Sequence, residues 1–198
     1  MKAAEGRGAS GPPVRAILFD MMGVLLRRRD DYVPEPLLDA VDDRIGSVTD
    51  DALFRRGIRR EFRLMDAQFK QIVARIPAKY EAFTPLWELL PELRRRYKLG
   101  IVNNGTSLTF PWFDARFGIQ RSFDLYLASG QAGVAKPEAG IYELACRKLG
   151  VRPGECLFMD DSEKNVAAAH RLGIQAIHWP DQATGLRLFQ AWLAREAG

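Results

Sequence analysis

Residues 14–26 read Val14-Arg15-Ala16-Ile17-Leu18-Phe19-Asp20-Met21-Met22-Gly23-Val24-Leu25-Leu26. Ile17, Leu18 and Phe19 form an apolar run suited to a strand buried on both faces. The run stops at Asp20, Gly23 follows, and a second apolar run begins at Val24. A carboxylate at the C-terminal end of a buried strand is costly unless it is paired or liganded. In an open α/β sheet that end is also where ligands bind. The alternative for this stretch alone is a strand that ends in an Asp cap before a turn.

Working outward, the chain has 198 residues, which fits one domain or one domain with an insertion. Hydrophobic residues make up 47%, enough for a sizeable core and too many for a disordered chain. No apolar run approaches the roughly 20 residues needed to span a bilayer. The first 13 residues have no apolar signal region and read as a flexible tail. Cys146 and Cys156 are too few for a disulfide framework or a structural zinc site, so a cytoplasmic setting is expected. The net charge is +4, with short arginine runs such as Arg27 to Arg29 and Arg94 to Arg96. These sit among acids without interleaved aromatics, so they read as solvated faces rather than a nucleic-acid surface. Some are available to meet an anionic substrate.

From residue 99 strands and helices alternate. Strands are predicted at 99–103, 123–128, 156–160 and 174–177, and helices at 107–117, 138–149, 162–172 and 182–195. Gly118, Gly150 and Gly173 each follow a helix, where a left-handed C-cap is wanted. With the opening strand this gives five strands of a parallel sheet with helices on both faces. Residues 27–36 read as a loop. Apolar residues from Leu37 to Ile76 recur at helical spacing, with Thr49 and Asp50 as plausible caps. A further helix is expected over 85–97, with Thr84 as N-cap and Pro85 as its first residue. The expected organisation is a tail (1–13), an α/β core (14–31 and 84–198) and a helical cap (32–83).

Polar groups gather at the strand ends: Asp20, then Asn103 and Asn104, then Asp160 and Asp161. Lys136 lies in a short loop before a helix. Three carboxylates brought together would repel one another, and a divalent cation resolves that. Mg²⁺ prefers a few carboxylates, waters and phosphate oxygens. The Asn103 and Asn104 amides, and loop N–H groups near Gly23 and Gly105, can donate to phosphate oxygens. Together these make a candidate phosphoryl-transfer site. Only Gly23 follows the first strand where a dinucleotide fold would want three glycines.

Four motifs carry a resemblance: F-D-M-M-G-V-L, I-V-N-N-G-T, A-K-P-E and F-M-D-D-S-E-K-N. In this order they resemble the haloacid dehalogenase (HAD) superfamily of hydrolases, over nearly the whole chain after the tail. The resemblance implies a Rossmann-like sheet in the order 5-4-1-2-3. It also implies a small helical cap inserted after strand 1, similar to that of sugar phosphatases and the epoxide hydrolase phosphatase domain. A phospho-receiver domain would place its acidic pair first and carry no cap.

By this resemblance Asp20 would be the nucleophile and would form an aspartyl-phosphate. Asp161 would be the main metal carboxylate and Asp160 a second or outer ligand. Met22 would offer Mg²⁺ its backbone carbonyl, and Lys136 would hold the nucleophile and the transferring phosphate. Asn103 stands where Ser or Thr is usual. Met22 stands where most phosphatases of the family carry a second Asp, which protonates the leaving group and then activates water. A thioether does neither.

The implied protein is a Mg²⁺-dependent phosphatase-like hydrolase of a small phosphorylated metabolite, a monomer or homodimer, with no nucleic-acid or membrane partner. The alternatives are a weakly active or inactive phosphate- or partner-binding protein and a metal-free 2-haloacid dehalogenase, against which the Asp160-Asp161 pair argues. His170 and His178 read as structural, and Trp87, Trp112, Trp179 and Trp192 as packing.

Overall fold

The computed structural model describes residues 12–196. The expected tail therefore lies, through residue 11, outside the described residues. The first strand, β1, is Ala16–Phe19 and is buried throughout. Six more follow: β2 (Leu26–Arg28), β3 (Tyr80–Ala82), β4 (Lys98–Asn103), β5 (Leu125–Ala128), β6 (Cys156–Asp160) and β7 (Gln175–His178). Five of them form one parallel sheet in the order β5-β4-β1-β6-β7. Numbered among themselves, these five run 5-4-1-2-3 from the β7 edge, the order the resemblance implies.

The unbroken apolar run of β1 follows from its central place, because alternate residues feed two different cores. Ile17 and Phe19 join Leu99, Ile101, Leu157 and Met159 on one face. Ala16 and Leu18 join Val102, Cys156 and Phe158 on the other. The helices that cover these faces lie between the strands in the chain. The chain first forms α1 (Pro36–Asp42), α2 (Asp51–Glu61) and α3 (Asp66–Arg75), then α4 (Thr84–Trp87) and α5 (Leu90–Arg96). Beyond β4 come α6 (Phe110–Phe117), α7 (Ile119–Ser122), α8 (Ser129–Ala132), α9 (Ala139–Leu149), α10 (Glu163–Arg171) and α11 (Gln182–Glu196). Gly118 and Gly150 end α6 and α9 in the left-handed conformation that glycine adopts without a Cβ penalty. Cys146 and Cys156 are both free and buried, with their sulfurs 3.5 Å apart.

Three expectations need correction. Arg27 and Arg28 are not loop: β2 pairs antiparallel with β3, so the chain enters and leaves the helical insertion along one ribbon. The helix expected over 85–97 is two helices, because Pro91 has no N–H to continue the first and its ring clashes with the preceding turn. Thr84 is the first helical residue there and makes no side-chain cap. Of the capping residues expected for the insertion, Asp50 does accept from the Leu53 N–H, at 2.8 Å.

The insertion is fastened to the core away from the ribbon as well. Asp51, at the start of α2, accepts from the Thr106 hydroxyl at 2.5 Å and the Ser107 N–H at 3.0 Å. Ser129 donates to the Val48 carbonyl at 2.5 Å. Apolar residues of the insertion, including Val41, Phe54 and Phe69, belong to the same buried cluster as Ile17 and Phe19.

Candidate active site

The C-terminal ends of β1, β4 and β6 open onto a cavity of about 390 Å³. Asp20 is 8% exposed there, and Lys136 arrives from the loop before α9. The Lys136 ammonium lies 2.5 Å from Asp20 Oδ1 and 2.7 Å from Asp160 Oδ2. Burial acts to lower the Lys136 pKa, but the two carboxylates more than offset it and hold the amine protonated. Burial pushes the Asp20 carboxyl up; Lys136 opposes that and Asp160 reinforces it.

Asp160 is fully enclosed and fully engaged. Its second oxygen accepts from the Ser162 N–H at 2.8 Å and from Asn165 Nδ2 at 2.9 Å. The N-terminus of α10 therefore faces this carboxylate, with its donors already committed. Asp161 is more open, and no side chain among the described residues pairs with it. Burial and the Asp160 charge raise its pKa. Its carboxylate occupies the space that a Cβ on Gly23 would fill, and Gly23 has φ +85°. The turn is fixed by two further bonds: Gly23 N–H donates to the Leu26 carbonyl at 2.8 Å, and Gln182 Nε2 donates to the Gly23 carbonyl at 2.9 Å.

Asp20, Asp160 and Asp161 each place a carboxylate oxygen within 4.8 Å of the others. An all-oxygen donor set of this kind suits a hard cation such as Mg²⁺. Asp160 already accepts from Lys136, Ser162 and Asn165, so the less committed oxygens belong to Asp20 and Asp161. Asp160 fits the outer position. The residues present fit the metal.

Of the loop N–H groups expected near Gly23 and Gly105 to meet phosphate, those of the two glycines themselves are already bonded. The Gly105 N–H donates to Ser129 Oγ at 2.9 Å, and the Gly23 N–H is taken by Leu26. Asn104 has a different task from the one expected. Its Nδ2 donates to the Lys136 carbonyl and its Oδ1 accepts from the Lys136 N–H, both at 2.8 Å. This two-way bracket fixes the loop that carries the ammonium. Asn103 lines the cavity, with Tyr126 Oη 3.5 Å from its amide nitrogen.

Met22 also lines the cavity, at the place where a proton donor was expected to be missing. No arginine among the described residues lines it. His178 has a partner that the sequence did not suggest, since its Nε2 lies 3.0 Å from the Asp161 carbonyl. Trp179 and Trp192 are buried and Trp87 Nε1 donates to the Leu25 carbonyl, whereas Trp112 is 44% exposed and is not packing. Asn165, Gln182, Asp42, Asp43 and Tyr80 were not expected at the site. Asn165 could have been found, because it stands one turn into the helix that follows the acidic pair. The others reach the site only through the tertiary fold.

A parallel sheet with an acidic pair, a lysine and a lone carboxylate at adjoining strand ends defines a HAD-type hydrolase. The chain belongs to that family: residues 14–173 match the hydrolase family described as haloacid dehalogenase-like hydrolase. It is 31% identical over 133 residues to the glyceraldehyde 3-phosphate phosphatase of Methanopyrus kandleri, covering 64% of this chain and 56% of that one. It is 31% identical over 111 residues to the phosphoserine phosphatase of Thermus thermophilus, covering 55% and 43%. The chain spans about half the length of the curated relatives it matches. A crystal structure of the HAD family enzyme bt-2542 from Bacteroides thetaiotaomicron, in complex with magnesium and inorganic phosphate, superposes with a TM-score of 0.65. The identity is 24%, over 83% of this chain and 93% of that one. No helix among the described residues is long and apolar enough to cross a membrane.

Proposed function

We propose that this hydrolase is a Mg²⁺-dependent phosphomonoesterase acting on a small phosphorylated metabolite, with Asp20 as nucleophile. The observation that carries the reading is Lys136 set between Asp20 and Asp160 on the floor of a cavity that Asp161 also lines. Lys136 engages Asp20 Oδ1, which leaves Oδ2 for attack on phosphorus. The new O–P bond forms as the bond to the leaving-group oxygen breaks, giving an aspartyl-phosphate that water then cleaves. Lys136 and the Asn103 amide hold the transferring phosphoryl group. Asp20, Asp161 and the Met22 carbonyl would hold Mg²⁺, with Asp160 behind them; bound there, the cation offsets the carboxylate charge and draws electron density from the phosphate oxygens.

Met22 cannot protonate the departing oxygen. General acid help is worth about 10²–10⁴-fold, so the favoured substrates are those whose leaving groups depart without it, such as acyl or aryl phosphates. The same thioether favours a second reading, a phosphate- or partner-binding protein with little turnover. A metal-free 2-haloacid dehalogenase is the weaker reading, because the Asp20, Asp160 and Asp161 oxygens converge as a cation site would. Cytoplasmic residence, as a monomer or homodimer, is part of the proposal.

The test is a phosphatase screen with and without Mg²⁺ on aryl, acyl and sugar phosphates. Aryl and acyl phosphate turnover that needs Mg²⁺ is expected. No turnover together with no metal binding by calorimetry would remove the enzyme reading, and metal-independent halide release from a 2-haloacid would replace it.

A further inference from the structure

One wall of the cavity comes from the helical insertion, β3 and α6, and its charge is one-sided. Asp42 and Asp43 line it, together with Tyr80, Phe113, Ile45 and Ile76. Among the described residues, Lys136 is the one cation in the lining, and Asp20 and Asp160 already hold it.

The balance among the cap charges leaves a net negative wall. Lys79 is 1% exposed and lies behind the wall, 2.5 Å from Asp39 and 2.6 Å from Asp42. Arg28 reaches Asp39 at 3.4 Å. These two cations offset Asp39 and Asp42. Asp42 also accepts from the Tyr80 hydroxyl at 2.8 Å, so it is held in place. The neighbouring Arg44 turns away to Glu61. Asp43 is exposed, and no cation among the described residues lies within ion-pair distance of it. Burial and Asp42 push the Tyr80 phenol up; Arg28 opposes them, and Asp43 adds a smaller push upward.

The same cavity is lined by two aromatic rings, Tyr80 and Phe113, with centroids 6.0 Å apart and planes tilted by 43°. An aromatic face next to an unpaired carboxylate attracts an ammonium group and repels a second anion. A cavity of about 390 Å³ holds a phosphate and a short organic chain, at the small end of ligand sites.

Resting on the phosphomonoesterase reading of the same site, we infer that the leaving group carries a positive charge: the substrate class is ammonium-bearing phosphate monoesters, selected by Asp43 with Tyr80 and Phe113. Phosphate esters that also carry a carboxylate or a second phosphate are excluded, because among the described residues the wall offers them no cation and leaves them facing Asp43.

Binding of non-hydrolysable phosphonates tests this without any turnover. Calorimetry on the Mg²⁺-loaded protein compares 2-aminoethylphosphonate, propylphosphonate and 3-phosphonopropionate, which share a chain length and differ in charge. Affinity is expected to fall in that order, with about tenfold or more between the first and the last, and Asp43→Asn is expected to shrink that ratio to about threefold or less. Equal affinities, the reverse order, no binding of the aminophosphonate, or a ratio unmoved in Asp43→Asn would each overturn the inference. The aryl phosphate screen separates the two claims. Failure there, with the charge order intact, removes the phosphatase reading and leaves the charge selection. Turnover there, with the order lost, removes the charge selection alone.

Discussion

The Lys136 ammonium lies 2.5 Å from Asp20 although 116 residues separate them in the chain. The same ammonium also neutralises Asp160, which is wholly enclosed. One buried cation thus keeps two buried carboxylates compatible with the folded state.

Replacing Lys136 by Met leaves both carboxylates without that cation. Breaking a buried ion pair by removing one partner costs about 3–5 kcal/mol, so urea unfolding of Lys136→Met should show a stability loss of that order. A loss below about 1 kcal/mol would mean the carboxylates are not held by the lysine.

Asp20→Asn keeps the shape of the side chain and removes its nucleophilic oxygen. Turnover of an aryl phosphate should fall by on the order of 10⁴-fold or more. Acid-quenched enzyme should then carry no phosphate on residue 20, as read by peptide mass spectrometry. Phosphate still trapped in the variant would place the nucleophile elsewhere.

Met22→Asp restores a proton donor at the cavity wall. The rate gain should approach about 10²–10⁴-fold for an alkyl phosphate and be much smaller for an aryl phosphate, whose leaving group needs less help. Equal gains on both would show that leaving-group protonation is not what the thioether withholds.

Gly185 in α11 packs its bare backbone on the Trp179 indole, and a Cβ there would overlap the ring. Alanine gains about 1 kcal/mol of helix propensity over glycine, but overpacking a filled core costs about 1–3 kcal/mol. Trp179 is completely buried and cannot swing out, so Gly185→Ala should lower the urea midpoint. A raised midpoint would show that the indole yields.

Glu155 sits at the turn before β6, where it accepts from the Arg152 N–H at 2.8 Å and faces the Arg152 and Arg15 guanidinium groups. The Arg152 N–H first, then its side chain, brings the carboxyl down to about 2 from an ordinary 4.5. A depressed folded-state pKa gives stability that is present above pH 4.5 and lost as pH falls toward 2. The gap in melting temperature between the parent and Glu155→Gln should therefore be open at pH 6 and close as the pH is lowered through about 4 to 2. A gap independent of pH would assign the effect to packing.

Much of this architecture is legible in the residues. Asp20, Asn103 and Asp160 each end an apolar run, so strand, strand end and polar group are read together. Gly118 and Gly150 mark helix ends because only a left-handed residue completes those caps. The ribbon of β2 and β3 is not legible, since three-residue strands with charged arginines carry no period to detect. The fate of individual N–H groups is hidden as well. Gly105 looks like a phosphate donor until Ser129, 24 residues away, is seen to take its hydrogen bond. Asn104 and Asn103 are adjacent and chemically identical and both line the cavity, yet only Asn104 braces the lysine loop. Only the direction in which each side chain leaves the strand end separates them.

The pairing of β1 has a consequence for biosynthesis. Ala16 is in register with Lys98 on one side and with Cys156 on the other. At roughly 5–20 residues per second, the ribosome makes β1 on the order of ten seconds before its second partner exists. Until β4 is made, Ile17, Leu18 and Phe19 form an apolar segment with no strand to join, and until β6 follows one edge of β1 stays open, the kind of exposed strand that nascent-chain chaperones bind and that aggregates without them. Asp20 is thus the first of the acidic groups to be synthesised, and its surroundings are completed only when Asp160 and Asp161 have followed. Slower or cooler expression should raise the yield of folded protein more for this chain than for one whose central strand pairs with its sequence neighbours.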